Sequence, residues 1–267
     1  MPSDITPAYV GGEQFQREKA AIFAREWFVF CAAAQLGTAG AYIFQTVGGW
    51  ALVALRHPDG TVRGIRNQCR HQNMPILDQP AGCVEQLRCR FHGWTYDLAG
   101  AFVTAPPMVA PDDPQSPEHH LHRVEVKERN GLVLLRLEAG DAAPSSLPSP
   151  GLPFATARSA DIDCNWKAFI EAQLAAGGWQ HHWPHLFQRT LDGAEVLRLV
   201  LPRSFTRTRA IDLVFGDAEK AASLAIGDTE KAAAVTLQRA FAAGTAPASQ
   251  NEAVIAFRDR IAASCTA

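Results

Sequence analysis

The sequence predicts an α+β chain, a small all-β domain followed by a shorter α+β domain. Three observations predict it. Short strand-like runs punctuated by Gly and Asp fill the first half. A Pro/Ser/Ala-rich stretch from Gly140 to Pro153 interrupts them. Alanine-rich segments of helical period fill the end. Residues 13–27 read as a helix, with Phe15, Ile22, Phe23 and Trp27 near helical spacing. Strands are expected at 28–31, 41–47, 51–56, 62–67, 94–97, 123–127 and 132–137, and Asp59-Gly60 is a hairpin signal. The boundaries are therefore 1–140 for the all-β domain with its N-terminal helix, 141–153 for the linker and 154–267 for the second domain. In that domain, Trp166–Ala176 reads as a helix ending at Gly177-Gly178, and 195–201 with 208–215 as a strand pair. Helices follow from about Asp217 to Ala243 and from Gln250 to Ala263, the last with Ser249 and Glu252 as a capping box. The near copies Gly216-Asp-Ala-Glu-Lys and Gly227-Asp-Thr-Glu-Lys read as two helix starts.

With 267 residues, 47% of them hydrophobic, and a net charge of −2, the chain can bury a core and lacks a basic block. Nucleic acid and anionic membrane surfaces are poor partners for it. Its apolar runs are too short to span a bilayer, and Met1-Pro2-Ser3-Asp4 opens no signal-peptide core, so a cytoplasmic location is expected.

Of six cysteines, two stand at ligand spacing from histidines: Cys69-Arg-His71 and Cys89-Arg-Phe-His92-Gly93, with seventeen residues between His71 and Cys89. A Cys-x-His loop followed by a Cys-x-x-His-Gly loop is the ligand set of a Rieske 2Fe-2S cluster, in which two thiolates hold one iron and two imidazoles the other. A structural zinc site on the same four residues is the competitor. Zinc fingers, however, usually pair like ligands, whereas each loop here mixes one Cys with one His. No second cysteine accompanies either loop, and Trp94 stands where high-potential Rieske proteins place a hydrogen-bonding serine. Fewer donors to the sulfurs predict a potential toward the low end of the Rieske range.

The segments Ile22-Phe-Ala-Arg-Glu-Trp27, Asn67-Gln-Cys-Arg-His71 and Cys89-Arg-Phe-His-Gly-Trp-Thr-Tyr-Asp97 resemble the α subunits of Rieske-type ring-hydroxylating oxygenases. The resemblance implies an all-β Rieske domain with Cys69, His71, Cys89 and His92 as cluster ligands, followed by a truncated helix-grip domain. It also implies a trimer or hexamer and electrons drawn from a ferredoxin or flavin reductase. A mononuclear Fe(II) would then oxidise a small aromatic or N-methyl substrate with dioxygen.

Asn165-Trp-Lys-Ala-Phe-Ile-Glu171 resembles the opening of that second domain. The family's subsequent Asp and two His fall, however, on Ala175, Gly178 and Trp183, which cannot bind metal. His181, His182 and His185 lie nearby, with Asp228 a candidate carboxylate. His181 and His185, four apart, would share a helical face. In a second alignment, His182 to Arg209 matches a later, strand-forming family segment. An internal piece is then missing, and the histidines have no catalytic meaning. Three functions follow: a compact oxygenase component, a non-catalytic electron-transfer or assembly subunit without the mononuclear iron, or a zinc-stabilised binding module.

Overall fold

The computed structural model describes every residue except 1–5, 141–146, 192, 221, 223–225, 247 and 267. The first half of the expected linker, 141–146, thus lies outside the described residues. The chain divides into two compact units, Val29–Ala139 and Met1–Phe28 with Gly140–Ala267.

The first unit is built on an antiparallel sheet. Its strands are β1 (Phe28–Ala32), β2 (Ala41–Val47), β3 (Trp50–Arg56), β4 (Val62–Arg66), β5 (Ala81–Cys83), β9 (Arg123–Arg129) and β10 (Leu132–Arg136). Among the described residues they run in the order β1-β10-β9-β4-β3-β2-β5. A smaller sheet joins β6 (Leu87–Arg88), β7 (Thr95–Tyr96) and β8 (Phe102–Thr104). Val53, Leu55, Ile65, Leu87, Tyr96 and Leu121 pack into one buried cluster that includes Cys69 and Cys89. The β4–β5 connection and the β6–β7 turn carry the two Cys/His loops.

In the second unit an antiparallel sheet runs β11-β15-β14-β13-β12. Its strands are β11 (Phe154–Ile162), β12 (Gln180–His182), β13 (Leu186–Leu191), β14 (Ala194–Ser204) and β15 (Arg207–Gly216). The helices are α1 (Thr6–Val10), α2 (Gly12–Glu18), α3 (Trp166–Ala176), α4 (Asp228–Ala242) and α5 (Glu252–Thr266). The N-terminal helix therefore groups with the second unit, where the sequence suggested the first. The Asn165-Trp-Lys…Glu171 motif explains this grouping. Asn165 caps α3 by accepting from the Lys167 N–H at 3.0 Å. Trp166 Nε1 donates to Glu18 at 2.8 Å, and Lys167 pairs with the same buried carboxylate. Glu171 is bound by Arg258 at 2.7 and 2.8 Å and by the Tyr9 hydroxyl. Lys167, Glu18 and Glu171 are all buried, so removing any one partner strands a charge.

Other expectations are corrected locally. The helix awaited from Asp217 begins at Asp228, and Asp217 Oδ1 instead closes a turn by accepting from the Glu219 and Lys220 N–H groups. Ser249 does not cap the last helix. Asn251 does, its Oδ1 accepting from the Val254 N–H at 3.2 Å. β11 carries no sequence signal of a strand, since Ala, Ser, Thr and Arg follow one another there with little apolar contrast.

Candidate metal centre

The two Cys/His loops have the same backbone. The Cys69 N–H donates to the Met74 carbonyl and the Asn73 N–H returns to the Cys69 carbonyl, at 2.8 and 2.9 Å. The Cys89 N–H donates to the Trp94 carbonyl and the Gly93 N–H returns to the Cys89 carbonyl, at 2.8 and 3.0 Å. In each loop the residue four past the cysteine is left-handed: Asn73 at φ 60° and Gly93 at φ 73°. Asn and Gly tolerate that conformation best. Gly93 has a second reason, since a Cβ there would sit 3.1 Å from the Pro106 ring.

These matched loops place like with like. Cys69 and Cys89 are both buried and their thiols interact. The rings of His71 and His92 meet edge to face at 4.8 Å. A tetrahedral zinc needs four donors on one point. A thiol pair beside an imidazole pair is the division a two-iron centre requires.

The residues fit such a cluster. His71 Nδ1 is buried without a hydrogen-bond partner, a nitrogen lone pair awaiting a metal. Burial raises the Cys69 thiol above its ordinary range. The positive charge of iron is what would hold it as thiolate.

The surroundings fix the ligands' orientation. His71 stacks on Trp94 with centroids 5.2 Å apart and planes 7° apart, and His119 abuts the same indole edge-on at 5.5 Å. Trp94 Nε1 donates to the Val109 carbonyl at 2.8 Å, so its one N–H serves the fold and not a sulfur. Asn67 is buried and holds the first loop closed, its Oδ1 accepting from the Ile76 and Leu77 N–H groups at 3.0 and 2.9 Å. Arg90 forms a two-pronged pair with Asp78 across the two loops. Beside Cys89 and His92 an open hollow of about 840 Å³ is edged by Arg88, Phe91 and Met108, and Phe91 and Met108 expose 58% and 97% of their surface.

A donor to the Cys69 sulfur comes from outside the two loops. Tyr96 Oη lies 3.1 Å from Cys69 Sγ. It accepts from the Arg70 N–H at 3.0 Å, which leaves its own proton for the sulfur. The Thr95-Tyr96 pair following Trp94 was the available signal. This donor offsets part of the loss of the serine. Tyr96→Phe should lower the cluster potential. A bond stronger by about 1 kcal/mol in the reduced state corresponds to roughly 40 mV for one electron. A redox titration of both proteins checks this, and equal potentials would exclude the hydroxyl as a tuning group.

The candidate residues for a mononuclear iron are not brought together. His181 and His182 lie on β12, paired with β13, so His181 and His185 share no helical face. His181 Nε2 meets the Pro184 carbonyl, and burial lowers its pKa to about 4. His182 Nε2 is 3.0 Å from Gln188 Oε1, and His185 is buried with its ring edge-on to Phe28. The Asp228 side chain is 100% exposed and pairs with Lys231. The β13-β14-β15 strand succession agrees with the second alignment, in which these histidines are strand and loop residues.

Residues 26–129 match the family model described as the Rieske [2Fe-2S] domain. This chain carries a Rieske domain. It is also homologous to Rieske oxygenase α subunits. The benzene 1,2-dioxygenase α subunit of Pseudomonas putida (strain F1) is 35% identical over 98 residues, 37% of this chain and 22% of that subunit. The biphenyl 2,3-dioxygenase α subunit of Rhodococcus jostii (strain RHA1) is 25% identical over 231 residues, 76% of this chain and 48% of that subunit. The chain thus spans at most about half the length of these relatives. The fold of the quaternary ammonium Rieske monooxygenase CntA, solved with L-carnitine, superposes with a TM-score of 0.78 at 16% identity, covering 97% of this chain and 94% of that one. Naphthalene 1,2-dioxygenase superposes at 0.64 with 79% of its chain covered. The all-β Rieske domain followed by an α+β unit is therefore the Rieske oxygenase fold.

Proposed function

We propose that Cys69, His71, Cys89 and His92 hold a 2Fe-2S cluster, and that the chain is a redox component of a Rieske-type oxygenase system. The observation that carries this is the pair of matched loops, thiol beside thiol and imidazole beside imidazole, with His71 Nδ1 buried and unpartnered. When bound, the cluster supplies one-electron transfer. The chain's residues do the rest. Tyr96 donates to Cys69, Trp94 holds the His71 ring, and the cysteines sit away from water. The exposed hollow beside Cys89 and His92 leaves that edge open to an electron donor or acceptor. A ferredoxin or flavin reductase supplies the electrons. They pass toward dioxygen-dependent hydroxylation or demethylation of a small aromatic or N-methyl substrate. The homology to dioxygenase α subunits supports that direction. A trimeric or hexameric assembly in the cytoplasm is part of the same proposal.

Whether the chain completes the reaction depends on its second unit. His181 and His182 are engaged with Pro184 and Gln188, and Asp228 is fully exposed and paired with Lys231, which favours the relay reading, in which the oxygenating iron belongs to another chain. Metal analysis after anaerobic purification distinguishes the two. About two irons per chain support the relay and about three a complete oxygenase. Stopped-flow reduction by NADH, a reductase and a ferredoxin should bleach the cluster with one electron per chain. Failure to accept any electron would refute both.

A further inference from the structure

The α3 helix and the start of α4, which carries the candidate carboxylate Asp228, do converge. They converge on an arginine. Arg198, on β14, is fully buried. Its Nε and Nη2 donate to the two carboxylate oxygens of Asp212 on β15, at 2.7 and 3.0 Å. Its Nη1 donates to Gln173 Oε1 on α3 at 3.0 Å and to Glu230 Oε1 on α4 at 2.8 Å. The Trp179 ring, just past α3, lies 4.4 Å from the guanidinium carbon. Asp212 and Gln173 are buried, and Glu230 is 30% exposed.

We propose that Arg198 is the resident cation of the second unit, seated between Asp212 and Glu230 where a metal would otherwise be needed to neutralise them. The consequence, that the chain supplies electrons and not the oxygenating iron, rests on the relay reading above. The geometry does not. A guanidinium keeps its proton under all physiological conditions and offers five N–H donors in a fixed plane. Its hydrogen bonds here reach Asp212, Gln173 and Glu230. Three different elements are thereby tied to one immovable charge, and a divalent ion approaching Asp212 or Glu230 meets that charge first. His181 and His182 engage Pro184 and Gln188, while Asp212 and Glu230 already share one cation.

The test uses the cluster-loaded protein and Co2+ as the metal probe. After equilibrium dialysis against Co2+, wild type should retain none beyond trace, and its Tm should not move. Arg198→Met leaves Asp212 and Glu230 uncompensated. The transition of the second unit should then fall by roughly 10 °C. Added Co2+ should restore part of that loss. Arg198→Met combined with Asp212→Leu, an apolar pair, should recover most of the stability without Co2+. If Arg198→Met does not fold, the wild-type dialysis and the double variant still decide. One Co2+ or a third iron held per wild-type chain, with the cluster intact, would overturn the proposal. Zinc in place of the cluster would sink the redox reading while leaving the Co2+ result standing.

Discussion

Cys89→Ser should abolish the cluster. Iron per chain is expected to fall from about two toward zero, with loss of the brown colour and of the reduced-state EPR signal. A serine hydroxyl is a far weaker and less acidic ligand than a thiolate, and the loop geometry admits no substitute. Cys89 is 2% exposed, its N–H and carbonyl are both committed to the turn, and the matching thiol of Cys69 is its neighbour. The loss extends beyond the metal, because a site assembled from two loops returns its binding free energy as folding stability. Without iron, Cys69 reverts to a neutral buried thiol, since burial alone raises its pKa. Metal loading must release that proton, so cluster retention should weaken as pH falls. Cys83→Ser is the control. Cys83 is exposed on β5, 3.4 Å from the Ala39 carbonyl, and its replacement should leave iron content unchanged.

Asn67→Ala should destabilise the Rieske domain almost as severely, though Asn67 holds no metal. Its side chain makes three hydrogen bonds to the backbone of Ile76 and Leu77, the shortest being Nδ2 to the Leu77 carbonyl at 2.6 Å. Those bonds draw the far end of the loop back beside its start and enclose Cys69 and His71. Alanine would leave two N–H groups and one carbonyl buried without partners. That costs roughly 3 kcal/mol or more, or a fall in Tm on the order of 15 °C for a domain of this size. Iron should also be lost faster to a chelator. A Tm within about 2 °C of wild type would mean that the loop closes without Asn67.

The parts of this chain that were legible in its sequence are those fixed by local chemistry. The two Cys/His loops stood out in the sequence because spacing within a turn is a local property, and the fold brings their thiols together and their imidazoles together. So did the β-rich first domain, whose short apolar runs are punctuated by Gly and Asp. Asn67 and Tyr96 were visible as letters but not as roles. Each acts across the fold, Asn67 on residues nine and ten further on and Tyr96 on a sulfur twenty-seven residues back. The second unit was the least legible. A four-residue spacing between His181 and His185 suggested a helix, but the segment pairs with β13, and strand pairing is a tertiary outcome. The N-terminal helix was assigned by proximity in sequence to the first domain. Its buried Glu18 belongs with Lys167, 149 residues away, and no local pattern announces that pairing. Arg198 was equally hidden, an arginine between Leu197 and Leu199 in a strand, with no local indication of the carboxylates that surround it.

The measurement that tests the account most directly is combined iron, zinc and acid-labile sulfide analysis of anaerobically purified protein, with EPR after reduction. About two irons and two sulfides per chain, with a reduced-state signal of low average g that disappears in Cys89→Ser, is the predicted result. One zinc per chain and no signal would contradict it.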